Sequence, residues 1–107
     1  MNLNIRGVNY ELGDELEQYI ERRLRFALGR FAGRIGRVTV RLSDVNGPRG
    51  GVDKRCQIVV ALVPRGVVMV EGSGDDVFAL IARTAKRAGS AVLRERERRR
   101  HDRILRV

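Results

Sequence analysis

Tryptophan is missing from this chain of 107 residues, and cysteine, histidine and proline are nearly so, with one Cys, one His and two Pro. A lone cysteine forms no internal disulfide. Cys56 lies in a strand-like run, so a small buried hydrophobe is its expected role, with a redox-sensing thiol as the alternative. His101 stands in an arginine run with no Cys or His spaced to share a metal, so a solvated side chain is expected and no metal site. The few aromatics (Tyr10, Tyr19, Phe26, Phe31, Phe78) fall mostly at core positions of the patterns below. That argues against base stacking on an aromatic platform and for recognition of shape and phosphate. No apolar run approaches the roughly 18 to 20 residues that cross a bilayer. Met1 leads into alternating polar and apolar residues, without the basic start, apolar stretch and small-residue cleavage site of a signal peptide, so a cytoplasmic location is expected.

Acids are scarce as well: 13 Asp and Glu face 22 Lys and Arg, for a net charge of +9. The imbalance is concentrated. From Arg83 to Arg106 ten basic residues stand against Glu95, Glu97 and Asp102. A chain this basic, with a pI near 11.3, predicts an anionic partner: nucleic acid first, an anionic membrane surface second, an acidic protein third. The apolar residues of the tail, Ile104, Leu105 and Val107, are too few for a membrane anchor. With 43% apolar and 33% charged residues, the composition is that of one folded domain with a single core.

Periodicity supplies the elements. Residues 2–8 alternate polar and apolar as a strand with one wet face does. Asp14 with Glu17 resembles a capping box, and Leu16, Tyr19, Ile20, Leu24, Ala27 and Phe31 recur at helical spacing, predicting a helix over 14–31 that ends near Gly29 or Gly33. Residues 36–44 set Val38, Val40 and Leu42 against Arg37, Thr39 and Arg41, a strand with arginines on its open face. Asn46-Gly47-Pro48-Arg49-Gly50-Gly51 reads as a loop before a strand at 54–63. Because it lacks the Gly-Lys-Ser/Thr ending and opens no helix, it is a poor phosphate loop. Pro64-Arg65-Gly66 then connects to a strand at 67–71, making a hairpin.

Ser73-Gly74-Asp75-Asp76 is expected to open a second helix, its acids at the positive end of the helix dipole; capping explains that pair better than an acid and base site. At 100° per residue Val77, Ile81, Thr84, Ala85, Ala88 and Val92 share one side of this helix, and Arg83, Lys86, Arg87 and Arg94 another. Gly89 in mid-helix marks either tight packing or a bend. The tail from Arg94 either extends the helix, with Glu95 and Glu97 in local ion pairs, or forms a flexible arm that orders on RNA.

Burial assembles these into a two-layer α/β (α+β) sandwich of order β-α-β-β-β-α. It has a four-stranded mixed sheet, strands one and two parallel, and both helices on one face. The outward arcs of the helices, with Arg22, Arg23, Arg25 and Arg30 from the first, then form one basic surface. RNA binding through phosphates is the functional reading of that surface and a solvated charged face the bland one. Residues 83–94 contain no acid, where a purely solubilising surface would mix signs. No catalytic apparatus is visible, and no cofactor or small-molecule substrate is expected.

Met1-Asn2-Leu3-Asn4-Ile5-Arg6-Gly7, Glu15-Leu16-Glu17-Gln18-Tyr19-Ile20-Glu21-Arg22-Arg23-Leu24 and Asp75-Asp76-Val77-Phe78-Ala79-Leu80-Ile81 together resemble the ribosome hibernation-promoting factor and ribosome-associated inhibitor family. The likeness is collinear over roughly residues 1–95. It implies a fold resembling double-stranded-RNA-binding domains. It also implies binding to the small ribosomal subunit and its ribosomal RNA between head and body, where messenger RNA and transfer RNA anticodon ends are occluded and translation is held off.

By position the resemblance assigns phosphate contacts to Arg23, Arg87 and Arg94. Ser90 stands where members often place a basic residue, Phe26 where lysine is common and Gly13 where a Thr cap is usual; Arg83 and Lys86 lie close enough to restore charge. The expected RNA-binding set is therefore Arg22, Arg23, Arg83, Lys86, Arg87 and Arg94. A ribosome-associated-inhibitor-like domain is expected over 1–95, with a basic extension or tail over 96–107. Long members carry a second, dimerising domain after a linker; over the residues to Val107 a direct resemblance to that dimerising mechanism is missing. The alternative function is a divergent RNA-binding module of the same fold without decoding-site specificity.

Overall fold

The computed structural model describes residues 1–44 and 54–105. The elements are β1 (Asn2–Val8), α1 (Asp14–Leu28), a 3-10 turn (Gly29–Arg34), β2 (Ile35–Asp44), β3 (Lys54–Leu62), β4 (Val67–Gly74) and α2 (Val77–Leu105). The strands and helices come in the order the periodicities predict, and the 3-10 turn is added where a helix over 14–31 was expected. The loop expected over Asn46–Gly51, and Arg106 and Val107, lie outside the described residues.

The sheet runs β1-β2-β3-β4, with β1 parallel to β2 and the other pairs antiparallel. Register and period-two alternation give it one apolar face: Val38 lies opposite Val60, Val40 opposite Ile58 and Leu42 opposite Cys56, and all six are buried. Both helices cover this face. α1 contributes Leu16, Ile20, Leu24 and Leu28 at i, i+4 spacing, and α2 contributes Leu80, Ile81, Ala85, Ala88 and Val92. Each fully buried aliphatic side chain of this kind stabilises the fold by about 1.5 to 3 kcal/mol. Thr84, also buried, satisfies its hydroxyl by donating to the Leu80 carbonyl at 2.7 Å.

The helices run parallel and pack against each other along their length. Tyr19 of α1 meets Phe78 of α2 edge to face, centroids 4.9 Å apart. Nearer the other end Gly89 lies against Ala27: a Cβ on Gly89 would sit 2.8 Å from the Ala27 carbonyl oxygen. Gly89 therefore serves close packing, and α2 passes through it without interruption.

Several boundaries differ from those predicted. Gly13, not Asp14, is the cap residue of α1, and no side chain caps it. The Glu17 N–H bonds the Gly13 carbonyl at 3.0 Å, which moves Asp14 into the first turn, where its charge still favours the positive end of the dipole. α1 ends at Leu28, and the 3-10 turn carries the chain on, burying Phe31. Ser73 and Gly74 do not open α2; they extend β4, because β3 is long enough to pair with them through Arg55 and Lys54. Asp76 alone caps α2, its Oδ1 accepting from the N–H groups of Phe78 (3.1 Å) and Ala79 (3.3 Å). The basic tail extends α2 as a helix to Leu105. At 1.5 Å per residue such a helix is about 40 Å long, and its last turns account for a molecule measuring 56 × 23 × 18 Å.

Candidate nucleic-acid interface

The predicted arginines divide between two flanks of the helical layer. On α1, Arg22 is exposed and lies over the Tyr19 ring at 5.7 Å. Arg23 is half-buried, its guanidinium 5.9 Å from the centre of the Phe26 ring, and its Nε is buried without a hydrogen-bond partner. Arg30, in the 3-10 turn, stacks over Phe31 at 4.8 Å. The opposite side of α1 is acidic: Asp14, Glu17 and Glu21 line a groove beside Leu3 and Ile5 of β1. Three acids of α1 thus face the sheet edge, while Arg22 and Arg23 lie on the side nearer Tyr19 and Phe26.

On α2, Arg83, Lys86, Arg87 and Arg94 are all exposed. Gly89 marks the side that faces α1, and at 100° per residue Arg83, Arg87 and Arg94 lie about 120 to 160° around the helix from it. Arg83 and Arg87 stand over β4, away from the α1–α2 groove. Arg83 Nη2 donates to the Ser73 carbonyl at 3.0 Å and Arg87 Nη1 to the Glu71 carbonyl at 2.6 Å. Both acceptors belong to β4, an edge strand, so these guanidiniums occupy backbone acceptors that would otherwise be open to another strand. A guanidinium has five N–H donors, and each of these bonds uses one nitrogen. Lys86 and Arg94 make no hydrogen bond or ion pair to the protein among the described residues. Ser90 is exposed between them.

The aromatics are less buried than their pattern suggests. Only Phe31 is fully in the core; Phe26 is 85% exposed and Phe78 39%. Phe26 lies outside the Leu16, Ile20, Leu24, Leu28 stripe, and that offset was the available signal. Its ring is exposed beside the Arg23 guanidinium, so an apolar flat surface does adjoin the basic one. Cys56 is buried, and burial pushes its thiol up to about 11, which suits a small hydrophobe and leaves little thiolate for redox chemistry.

Two arginines that local pattern did not single out, Arg34 of the 3-10 turn and Arg65 of the β3–β4 hairpin, converge with the arm of α2 around a cleft at one end of the molecule. Within that arm Glu95 bonds both Arg98 (2.7 Å) and Arg99 (3.1 Å), and these charge-assisted bonds hold its carboxyl below the usual range. Among the described residues no cluster of three or more His, Cys, Asp or Glu is placed to hold a metal ion, and no helix is long and apolar enough to cross a membrane.

The fold and the sequence both have relatives. The crystal structure of the Thermus thermophilus Protein Y N-terminal domain is similar at 30% identity and a TM-score of 0.72, over 88% of this chain and 98% of that one. A ribosomal subunit interface protein from Coxiella burnetii shares the fold, with a TM-score of 0.74 over 91% of this chain and 99% of that one, at 13% identity. No curated protein sequence matches. The family model described as sigma 54 modulation protein / S30EA ribosomal protein matches residues 3–100. With that match spanning nearly all of the sheet and both helices, this chain belongs to the sigma 54 modulation protein / S30EA ribosomal protein family.

Proposed function

We propose that the chain binds the small ribosomal subunit through the outward side of α1 and α2 and inhibits translation by occluding the messenger RNA and transfer RNA decoding region. It would act in the cytoplasm as a hibernation factor under stress. The observation that carries this is the acid-free run 83–94, which presents Arg83, Lys86, Arg87 and Arg94 to solvent on a domain similar to Protein Y. Ribosomal RNA phosphates are the natural partner of such a surface, because each phosphate neutralised releases condensed counterions. Arg22 and the half-buried Arg23 supply the contacts from α1. The mechanism is steric and needs no turnover.

Lys86 and Arg94 give the cleanest test, since neither is engaged within the protein. In modest salt the chain should sediment with purified small subunits, and Lys86→Glu with Arg94→Glu should release it without lowering its melting temperature. Failure of the unaltered chain to sediment with the small subunit overturns the proposal. Equal affinity for the subunit and for arbitrary duplex RNA would favour an RNA-binding module without decoding-site specificity.

A further inference from the structure

Seven arginines from three separate elements surround one cleft of about 680 Å³. Arg34 comes from the 3-10 turn, Arg65 from the β3–β4 hairpin, and the arm of α2 supplies five, with Arg96, Arg99, Arg100 and Arg103 at i, i+3, i+4 and i+7 on one helical face. Leu62, Val63, Pro64 and Val92 also line the cleft, Val92 from the core and Val63 and Pro64 from the exposed hairpin. Asp102 is the one carboxylate in the lining. Glu95, the other acid engaged here, is occupied by Arg98 and Arg99.

The arm contacts the hairpin where it crosses it. Gly66 sits at φ +111° and carries no Cβ, and the Arg99 guanidinium lies directly on it; any side chain there would overlap Arg99. Val63 N–H bonds the Arg34 carbonyl at 2.8 Å, tying the hairpin to the 3-10 turn. Turn, hairpin and arm are thus mutually positioned, while Arg65, Arg96, Arg100 and Arg103 remain exposed. Like charges gathered around a concave site repel one another and focus a positive field into it. An anion relieves the repulsion, and guanidinium forks match phosphate oxygens. The exposed Val63 and Pro64 of the hairpin give a base or ribose an apolar surface to rest on beside these guanidiniums.

We propose that this cleft is a site for nucleotide phosphates, those of an RNA strand or of a free nucleoside triphosphate, separate from the helical surface assigned above to ribosomal RNA. The full chain is titrated with two probes, ATP and a single-stranded RNA ten nucleotides long, beside a variant carrying Arg65→Gln, Arg100→Gln and Arg103→Gln. A control carries Arg6→Gln, Arg37→Gln and Arg41→Gln, the same loss of charge on exposed positions of the other sheet face. The cleft variant should weaken at least one probe by about tenfold or more, with the control within about twofold, as loss of placed phosphate contacts requires. Loss confined to RNA identifies a strand as the source, and loss of ATP a free nucleotide. No binding by the unaltered chain, no loss in the cleft variant, or equal loss in the control overturns the proposal. If the triple variant misfolds, Arg65→Gln alone, in the hairpin and outside both helices, carries the same comparison. Lys86→Glu with Arg94→Glu should abolish ribosome binding and spare ATP binding, so failure at one surface is distinguishable from failure at the other.

Discussion

Gly89 is where a local preference and a tertiary demand oppose each other. Alanine there would gain up to about 1 kcal/mol of helix propensity, yet its Cβ would meet the Ala27 carbonyl oxygen at 2.8 Å, and backbone on both helices resists that shift. Overpacking of this kind costs typically about 1 to 3 kcal/mol, so Gly89→Ala should lower the denaturant midpoint; a raised midpoint would show that the helices part easily. Cys56 makes a pH prediction. Its thiol titrates at about 11 in the fold against 9.0 as an unperturbed group. Above pH 9 the unfolded chain therefore loses its proton while the native state keeps it, and stability falls as pH rises from about 9 to 11. A Cys56→Ala variant should lose less over that window in urea titrations, the difference being of order 2 to 3 kcal/mol. Phe26, at 85% exposure, is free to change. Phe26→Lys should leave the melting temperature unaltered and steepen the salt dependence of ribosome binding by about one phosphate contact.

At the scale of elements, α2 has three tasks along its length. Its first turns cap the exposed edge of β4 through Arg83 and Arg87, its middle packs on α1 and the sheet, and its end forms the arm. Arg87→Ala should therefore do two things that Lys86→Ala does not: lower stability by about 1 kcal/mol through the lost charge-assisted bond, and promote self-association by uncovering β4, visible as concentration-dependent sedimentation. The arm depends on Glu95. Because its carboxyl is held below the ordinary range by Arg98 and Arg99, the pairs persist through mild acid and are lost only as pH falls through that lowered value. Glu95→Gln removes them at neutral pH, and amide exchange should then quicken over 96–105 while the strands stay protected.

At the scale of the molecule the net charge of +9 is unevenly spread: Asp14, Glu17 and Glu21 line the β1 side of α1, while arginines stand on the helices, the arm and the open sheet face. Such a field orients the approach to a polyanion and screens with salt. Four phosphate contacts through Arg83, Lys86, Arg87 and Arg94 imply about a hundredfold weaker binding at 200 mM than at 50 mM salt, a slope that ribosome pelleting across a salt series reads directly. A flat series would assign the stripe to solubility.

Period-two and period-3.6 patterns, together with turn chemistry, sufficed for the four strands and two helices, for their order, for the apolar face of the sheet and for the collinear likeness to a family, but not for the 3-10 turn after α1. These signals are local, and burial of one face of each element leaves few ways to stack them. Boundaries were less legible, as at Ser73 and Gly74, because pairing with β3 decides where β4 ends. The split of the arginines between two flanks, the exposure of Phe26 and the role of Gly89 depend on which side of each helix meets its neighbour, and a helical wheel does not identify the neighbour. Arg34 and Arg65 show the limit most plainly. They stand far apart along the chain, and only the tertiary structure brings them to the arginines of the arm, because a shared cleft is a property of three elements meeting and not of any stretch of sequence.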